Sequence, residues 1–272
     1  MVKIIDIDAI FDEYISKYVY ANIGKVKPEE IENQMPVLYE KFGNEKLTEL
    51  DGKTPNEFYR EFGIEELLAC LKEHIEREVA VSDFLCEAIR DAKNSGEEMT
   101  KALNNENGEE FTLYLINMLS EINSSLPAKR YLEFVVLDYS EPIRELASES
   151  LYPFADVVKE EILEQFEETS GDKRECLTDI LAHANKDDRI LDILINEFKL
   201  HTENVPLYAG LIAKYGDERA IPYLKEVAKN GNINYADFEE IRFAIESLGG
   251  ECDVKRDFTK DKIYNKVKGI KS

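Results

Sequence analysis

The string LTELDGKT (47–54) ends in Gly52-Lys53-Thr54, the residue types with which a phosphate-binding loop works. Such a loop presents backbone N–H groups, an ammonium and a hydroxyl to a nucleotide and its magnesium. It also needs a glycine where Leu47 stands and a strand before it, and neither is present. The residues that follow offer a plainer use. Thr54 precedes Pro55, and Glu57 lies three places on, the pattern of a capping box that opens a helix.

Histidine chemistry is scarce. Cys70 and His74 are four apart on one predicted helix and share a side of it, but a structural zinc takes four ligands and no second pair accompanies them. His183 lies beside the apolar pair Ile180 and Leu181, and His201 follows a predicted helix end, where a cation favours the dipole. Neither has a nucleophile in a recognisable elbow. NGNINYADFEE (230–240) has asparagines at alternate places but lacks the sixth-position glycine, and Ile241 stands where a calcium loop has glutamate. Glu160, Glu161, Glu164, Glu167 and Glu168 fall at helix-surface spacing, as a solvated face does. The sequence therefore nominates no catalytic residue, no metal ligand and no cofactor.

Whatever these residues do, helices must position them. Thirteen Gly and eight Pro in 272 residues are too few for the turns of an all-β chain, and no alternating short strands are visible. Hydrophobic residues at 43% and charged residues at 33% are a globular composition. Fifty-seven Asp plus Glu against 34 Lys plus Arg give −23. Nucleic-acid binding draws on cations that neutralise phosphates, so this charge argues against a DNA or RNA partner and against anionic membranes, and for basic proteins or peptides. Asp6 and Asp8 interrupt what would be the apolar core of a leader, and no run approaches the ~18 apolar residues of a membrane span. Cys70, Cys86, Cys176 and Cys252 form no C-x-x-C pair, as free thiols in a reducing compartment do not, so a cytoplasmic protein is expected.

Periodicity places helices at 27–42, 64–78, 82–93, 96–104, 108–123 and 127–139, with Ser95/Glu98 and Asn107/Glu110 as further cap pairs. Beyond Ser140 the pattern repeats. LTDILAHANKDDRILDILINEF (177–198) aligns with LYAGLIAKYGDERAIPYLKEVA (207–228) at an offset of 30, which matches Asp187-Asp188-Arg189 to Asp217-Glu218-Arg219. ILEQF (162–166) matches LINEF (194–198) at 32. A unit of helix, short turn and helix that recurs every 30 residues or so is the mark of a solenoid.

YGDERAIPYL (215–224) resembles the turn and second helix of a short bacterial HEAT repeat, and FEEIRFAIESLGG (238–250) looks like the first helix of the next. Gly216 permits the tight turn, Asp217 caps the second helix, and Pro222 follows its first turn. The resemblance implies an all-α fold, a right-handed α–α superhelix of HEAT-like solenoid type with a helical N-terminal region. The expected division is 1–106 as N-terminal cap or divergent repeats and 107–252 as repeats. Residues 253–272 form a tail in which seven Lys or Arg against three Asp give +4, leaving −27 on the rest.

Stacked repeats bring equivalent positions of successive second helices together. At the offsets above, Glu160 pairs with Asp192, and Glu164 with Asn196 and Glu226, with Tyr223 and Arg219 flanking the row. Glu160, Glu164, Asp192, Asn196, Tyr223 and Glu226 are thus the candidate partner-binding residues. They suit a non-enzymatic interaction scaffold that offers an acidic surface to a basic or extended polypeptide. The alternative is an enzyme or enzyme accessory, lyase-like or other, with a small molecule in the groove, since similar repeats accompany pigment-lyase and base-excision activities. The basic tail is expected to dock on an acidic surface, its own or another's.

Overall fold

The computed structural model describes residues 2–22, 28–105 and 107–269. Glu106, which ends the first expected region, and the last three residues of the basic tail lie outside them. The described residues are all-α, without a strand; Leu47 and Lys53 form an isolated bridge around the Asp51-Gly52 turn. The chain divides into two compact units between Arg130 and Tyr131.

The first unit holds α1 (Ile7–Asn22), α2 (Pro28–Gly43), α3 (Pro55–Phe58), α4 (Ile64–Glu76), α5 (Asp83–Asp91), α6 (Ser95–Leu103) and α7 (Glu109–Glu121). α1 packs on α2 through rings: Phe11 meets Tyr39 edge-on at 4.9 Å, and Phe11 and Tyr14 approach Phe42 at 5.1 and 5.5 Å. Around α4, the helices α5, α6 and α7 bury Leu67, Leu71, Leu85, Ile89, Met99 and Leu115, each worth roughly 2 kcal/mol of transfer free energy.

The capping box at Thr54 is present, with the Thr54 N–H donating to Glu57 Oε2 at 3.3 Å, so the Gly52-Lys53-Thr54 turn introduces a helix. The other two expected caps are corrected. Ser95 lies inside α6 and its hydroxyl donates back to the Arg90 carbonyl, while Asn94 takes the cap position. Gly108 caps α7, because the Asn107 amide is already committed to the carbonyls of Ala102 and Asn105.

α8 (Ala128–Val136) spans the boundary, and the second unit continues with α9 (Glu141–Leu151), α10 (Ala155–Gln165), α11 (Asp172–Ala182) and α12 (Asp188–Leu200). α13 (Val205–Tyr215), α14 (Ile221–Ala228), α15 (Tyr235–Ser247) and α16 (Lys262–Val267) complete it. α9, α11, α13 and α15 touch in series, and α10, α12 and α14 each pack on the helix that follows. α13 is apolar on most of its circumference, as a helix flanked by α11, α12 and α15 must be.

Polar ties run between successive helix pairs at a near-constant sequence distance. Tyr152 binds Asp179 (27 apart), Glu160 binds Arg189 (29), Lys186 binds the Gly216 carbonyl (30), and Asp188 binds Arg219 (31). The Asp217 carboxylate accepts from Arg219 N and caps a short 3-10 turn, Glu218–Ala220. α14 proper begins at Ile221, so Pro222 is its second residue, where no N–H bond is required.

The basic tail lies against its own unit. Phe258 is buried against Tyr235 and Phe238, Arg256 donates to the carbonyls of Ala228 and Gly231, and Asp261 accepts from Tyr235 N.

Candidate functional site

Glu160, the first of the candidate carboxylates, meets a cation built into a helix cap. Asp187 is the N-cap of α12: it accepts from Arg189 N at 3.0 Å and from the guanidinium at 3.0 and 2.7 Å. The same guanidinium donates to both Glu160 oxygens, at 2.9 and 2.8 Å. Hydrogen bonding to Arg189 holds Asp187 down at about 2 and lowers Glu160 as well. Thirty residues on, Arg219 joins its own cap Asp217 to Asp188 at 2.8 Å.

Glu160 is therefore a neutralised tie. Tyr223 and Glu226 are brought together under one cation: Lys199 Nζ sits 4.4 Å from the Tyr223 ring centroid and 3.9 Å from Glu226. Glu164, Asp192 and Asn196 are exposed and carry no ion pair or hydrogen bond through their side chains among the described residues. Half of the expected row is thus engaged internally.

An open cleft of ≈ 290 Å³ lies instead on the first-helix layer. α9 lines it with Glu145 and Glu149, α11 with Glu175 and Asp179, and Tyr152, Cys176 and Leu207 of α13 complete the wall. Each carboxylate pair is four apart and so shares a helix face. Tyr152 donates to Asp179 Oδ2 at 2.5 Å and stacks on His183 with centroids 3.9 Å apart and planes 3° from parallel. Burial, reinforced by Asp179, raises the phenol pKa and keeps the hydroxyl protonated as a donor. Burial likewise raises the Cys176 thiol, against the pull of Arg144, which leaves it protonated and a poor nucleophile at neutral pH. Glu145, Glu149 and Glu175 have no counter-ion among the described residues.

This cleft was missed, although its signal is in the sequence. Glu145 and Glu149, and Glu175 and Asp179, are each four apart, the spacing that puts two acids on one face of a helix. What concealed it was the assumption that recognition sits on second helices.

The remaining histidines serve structure. His74 is fully buried: Nε2–H donates to the Ile5 carbonyl at 3.2 Å, and the Cys70 thiol lies 3.7 Å from Nδ1. His201 at the end of α12 faces Glu203 at 2.8 Å and Glu197 at 3.5 Å and stacks on Tyr208. No group of three or more His, Cys, Asp or Glu among the described residues is arranged to hold a metal ion. No helix among them is long and apolar enough to cross a membrane. Comparison with protein-family models, curated proteins and solved structures returns no match for the chain.

Proposed function

We infer that the chain is a non-enzymatic protein-interaction module whose C-terminal unit is a HEAT-like, right-handed stack of helix pairs. Its acidic cleft between α9 and α11 receives lysine or arginine side chains of a basic, extended polypeptide. The observation that carries this reading is that two carboxylate pairs, Glu145/Glu149 on α9 and Glu175/Asp179 on α11, line one cleft, three of the four without a counter-ion. Uncompensated carboxylates in one cleft favour a cation that brings its own charge, and Tyr152, held in the lining by Asp179 and by its stack on His183, offers an aromatic ring beside which an alkyl stem or guanidinium can lie. The polar ties one repeat apart and the serial contact of α9, α11, α13 and α15 support the stacked reading. Glu164, Asp192 and Asn196 remain as a second contact row on the other helix layer.

The test is fluorescence anisotropy with a dye-labelled oligolysine peptide at physiological salt. E145K/E149K weakens binding at least about tenfold, a loss of ~1.4 kcal/mol. The charge-matched E29K/E30K in α2 changes it little. Equal losses in the two variants would reduce the cleft to a share of the general acidic field and sink the assignment.

A further inference from the structure

We propose that the outer face of α16 and its flanking lysines dock into the acidic cleft of a second copy of this chain, so that copies associate head to tail and the occupied cleft is closed to other partners. The proposal rests on the reading of the cleft as a site for cationic side chains.

The C-terminal segment has two unlike sides. Its inner side is consumed by anchoring: Phe258 and Tyr264 pack on Tyr235 at 5.3 and 5.0 Å, and Arg256 donates to Gly231 O at 3.1 Å. Its acids are also spent, Asp253 on Lys225 at 2.8 Å, Asp257 on Thr259 N, and Asp261 on the α16 N-terminus and Tyr235 N.

The outer side keeps everything else. Lys262 and Lys266 stand one helical turn apart, next to the exposed pair Ile263 (41%) and Val267 (65%). Lys255, Lys260 and Lys268 flank them, and none of the five lysines has an ion pair among the described residues. The result is a short cationic face with an apolar strip on a chain of net charge −23.

Charge complementarity selects the occupant. Two lysines at i and i+4 present the same axial spacing as Glu145/Glu149 and Glu175/Asp179. The segment is tied to α14 and α15 through Lys225, Ala228, Gly231, Tyr235 and Phe238, whereas α9, α11 and α13 build the cleft. Reaching the cleft of the same chain would break those ties, and reaching that of another chain breaks none. Such a contact joins unlike surfaces and is heterologous. At ~0.1–0.15 M ionic strength the Debye length of about 8–10 Å screens the mutual repulsion of the two acidic bodies while direct pairs persist, so association is favoured there and weakened at high salt.

Sedimentation equilibrium of the full chain, from micromolar concentration upward, tests this. The weight-average mass rises above the 31.3 kDa of one chain as concentration increases, and molar salt reverses the rise. K262E/K266E and E145K/E149K are each shifted toward the single-chain mass, and mixing the two restores association through the exchanged charges. A wild-type mass that stays at one chain at every concentration overturns the proposal, as does association that neither variant weakens. If oligolysine still binds the cleft in that case, the reading of the site survives alone; if the variants leave both measurements unchanged, both ideas fall. Binding of phosphatidylserine vesicles by a chain that remains single and loses that binding in K262E/K266E would assign the α16 face to a lipid surface instead.

Discussion

Arg174 of α11 and Glu197 of α12 neutralise each other within the C-terminal unit. Nε and Nη2 donate to Glu197 Oε1 at 3.0 and 2.8 Å, and Nη1 donates to the carbonyls of Phe166 and Thr169. The guanidinium lies 4.1 Å from the Phe166 centroid, and Glu197 is 1% exposed. R174A strands a buried carboxylate and two carbonyls, and is expected to cost about 3 kcal/mol in urea unfolding. R174M/E197L, which removes both charges and keeps the volume, is expected to cost far less. Equal losses would mean the pair acts by shape rather than by charge.

The caps of the second helices set an acid limit. Asp187 is held near 2 against an ordinary 3.8, so the folded state binds its proton less readily than the unfolded chain. The stabilisation is complete above 3.8 and drains away as pH falls toward 2. D187N keeps a good cap but loses this titration, so its stability changes less across that window. D187A forfeits the cap as well and is expected to cost about 1 kcal/mol at neutral pH. Chemical unfolding from pH 5 down to pH 2, an interval chosen to bracket both values, separates the two.

His74 gives the N-terminal unit a milder sensitivity. Burial depresses its pKa below 6.5, outweighing the upward pull of Asp6 and Glu73. Protonation thus favours the unfolded chain, and stability falls as pH drops below 6.5 toward the folded value. H74Q removes the titration and is expected to flatten that slope, read by amide hydrogen exchange in α4. An unchanged slope would place the sensitivity in the carboxylates.

The turn at 215–222 separates two residues that look equally special. Gly216 has φ +75°, so G216A is expected to cost about 1 kcal/mol. Pro222 sits where its missing N–H breaks nothing, so P222A is expected to stay within about 0.5 kcal/mol of the parent. Thermal melts of the two single variants decide it.

The C-terminal helices were legible because their caps are chemically explicit: Asp187 and Asp217 each lie one repeat apart before an apolar stripe, and both accept from the arginine two residues on. Ser95 and Asn107 show the limit of that reasoning. Their side chains reach carbonyls behind them, a competition that spacing alone does not resolve. α1 was unforeseen, since its acids argued against a leader while its ring contacts with Tyr39 and Phe42 come from a distant segment. The cleft was half legible. Spacing puts Glu145 with Glu149 and Glu175 with Asp179 on single helix faces, but only the folded packing brings the two pairs to one cleft and shows that Arg189 and Lys199 have already occupied Glu160 and Glu226 while nothing has occupied Glu145.

The arginines at the starts of the second helices each clasp the preceding pair from outside, while the first helices touch through buried side chains. Brine therefore slackens the Glu160–Arg189 and Asp188–Arg219 clasps and leaves the apolar seam of α9, α11, α13 and α15 shut, so ionic strength is expected to loosen one side of this unit and not the other, without unfolding any helix.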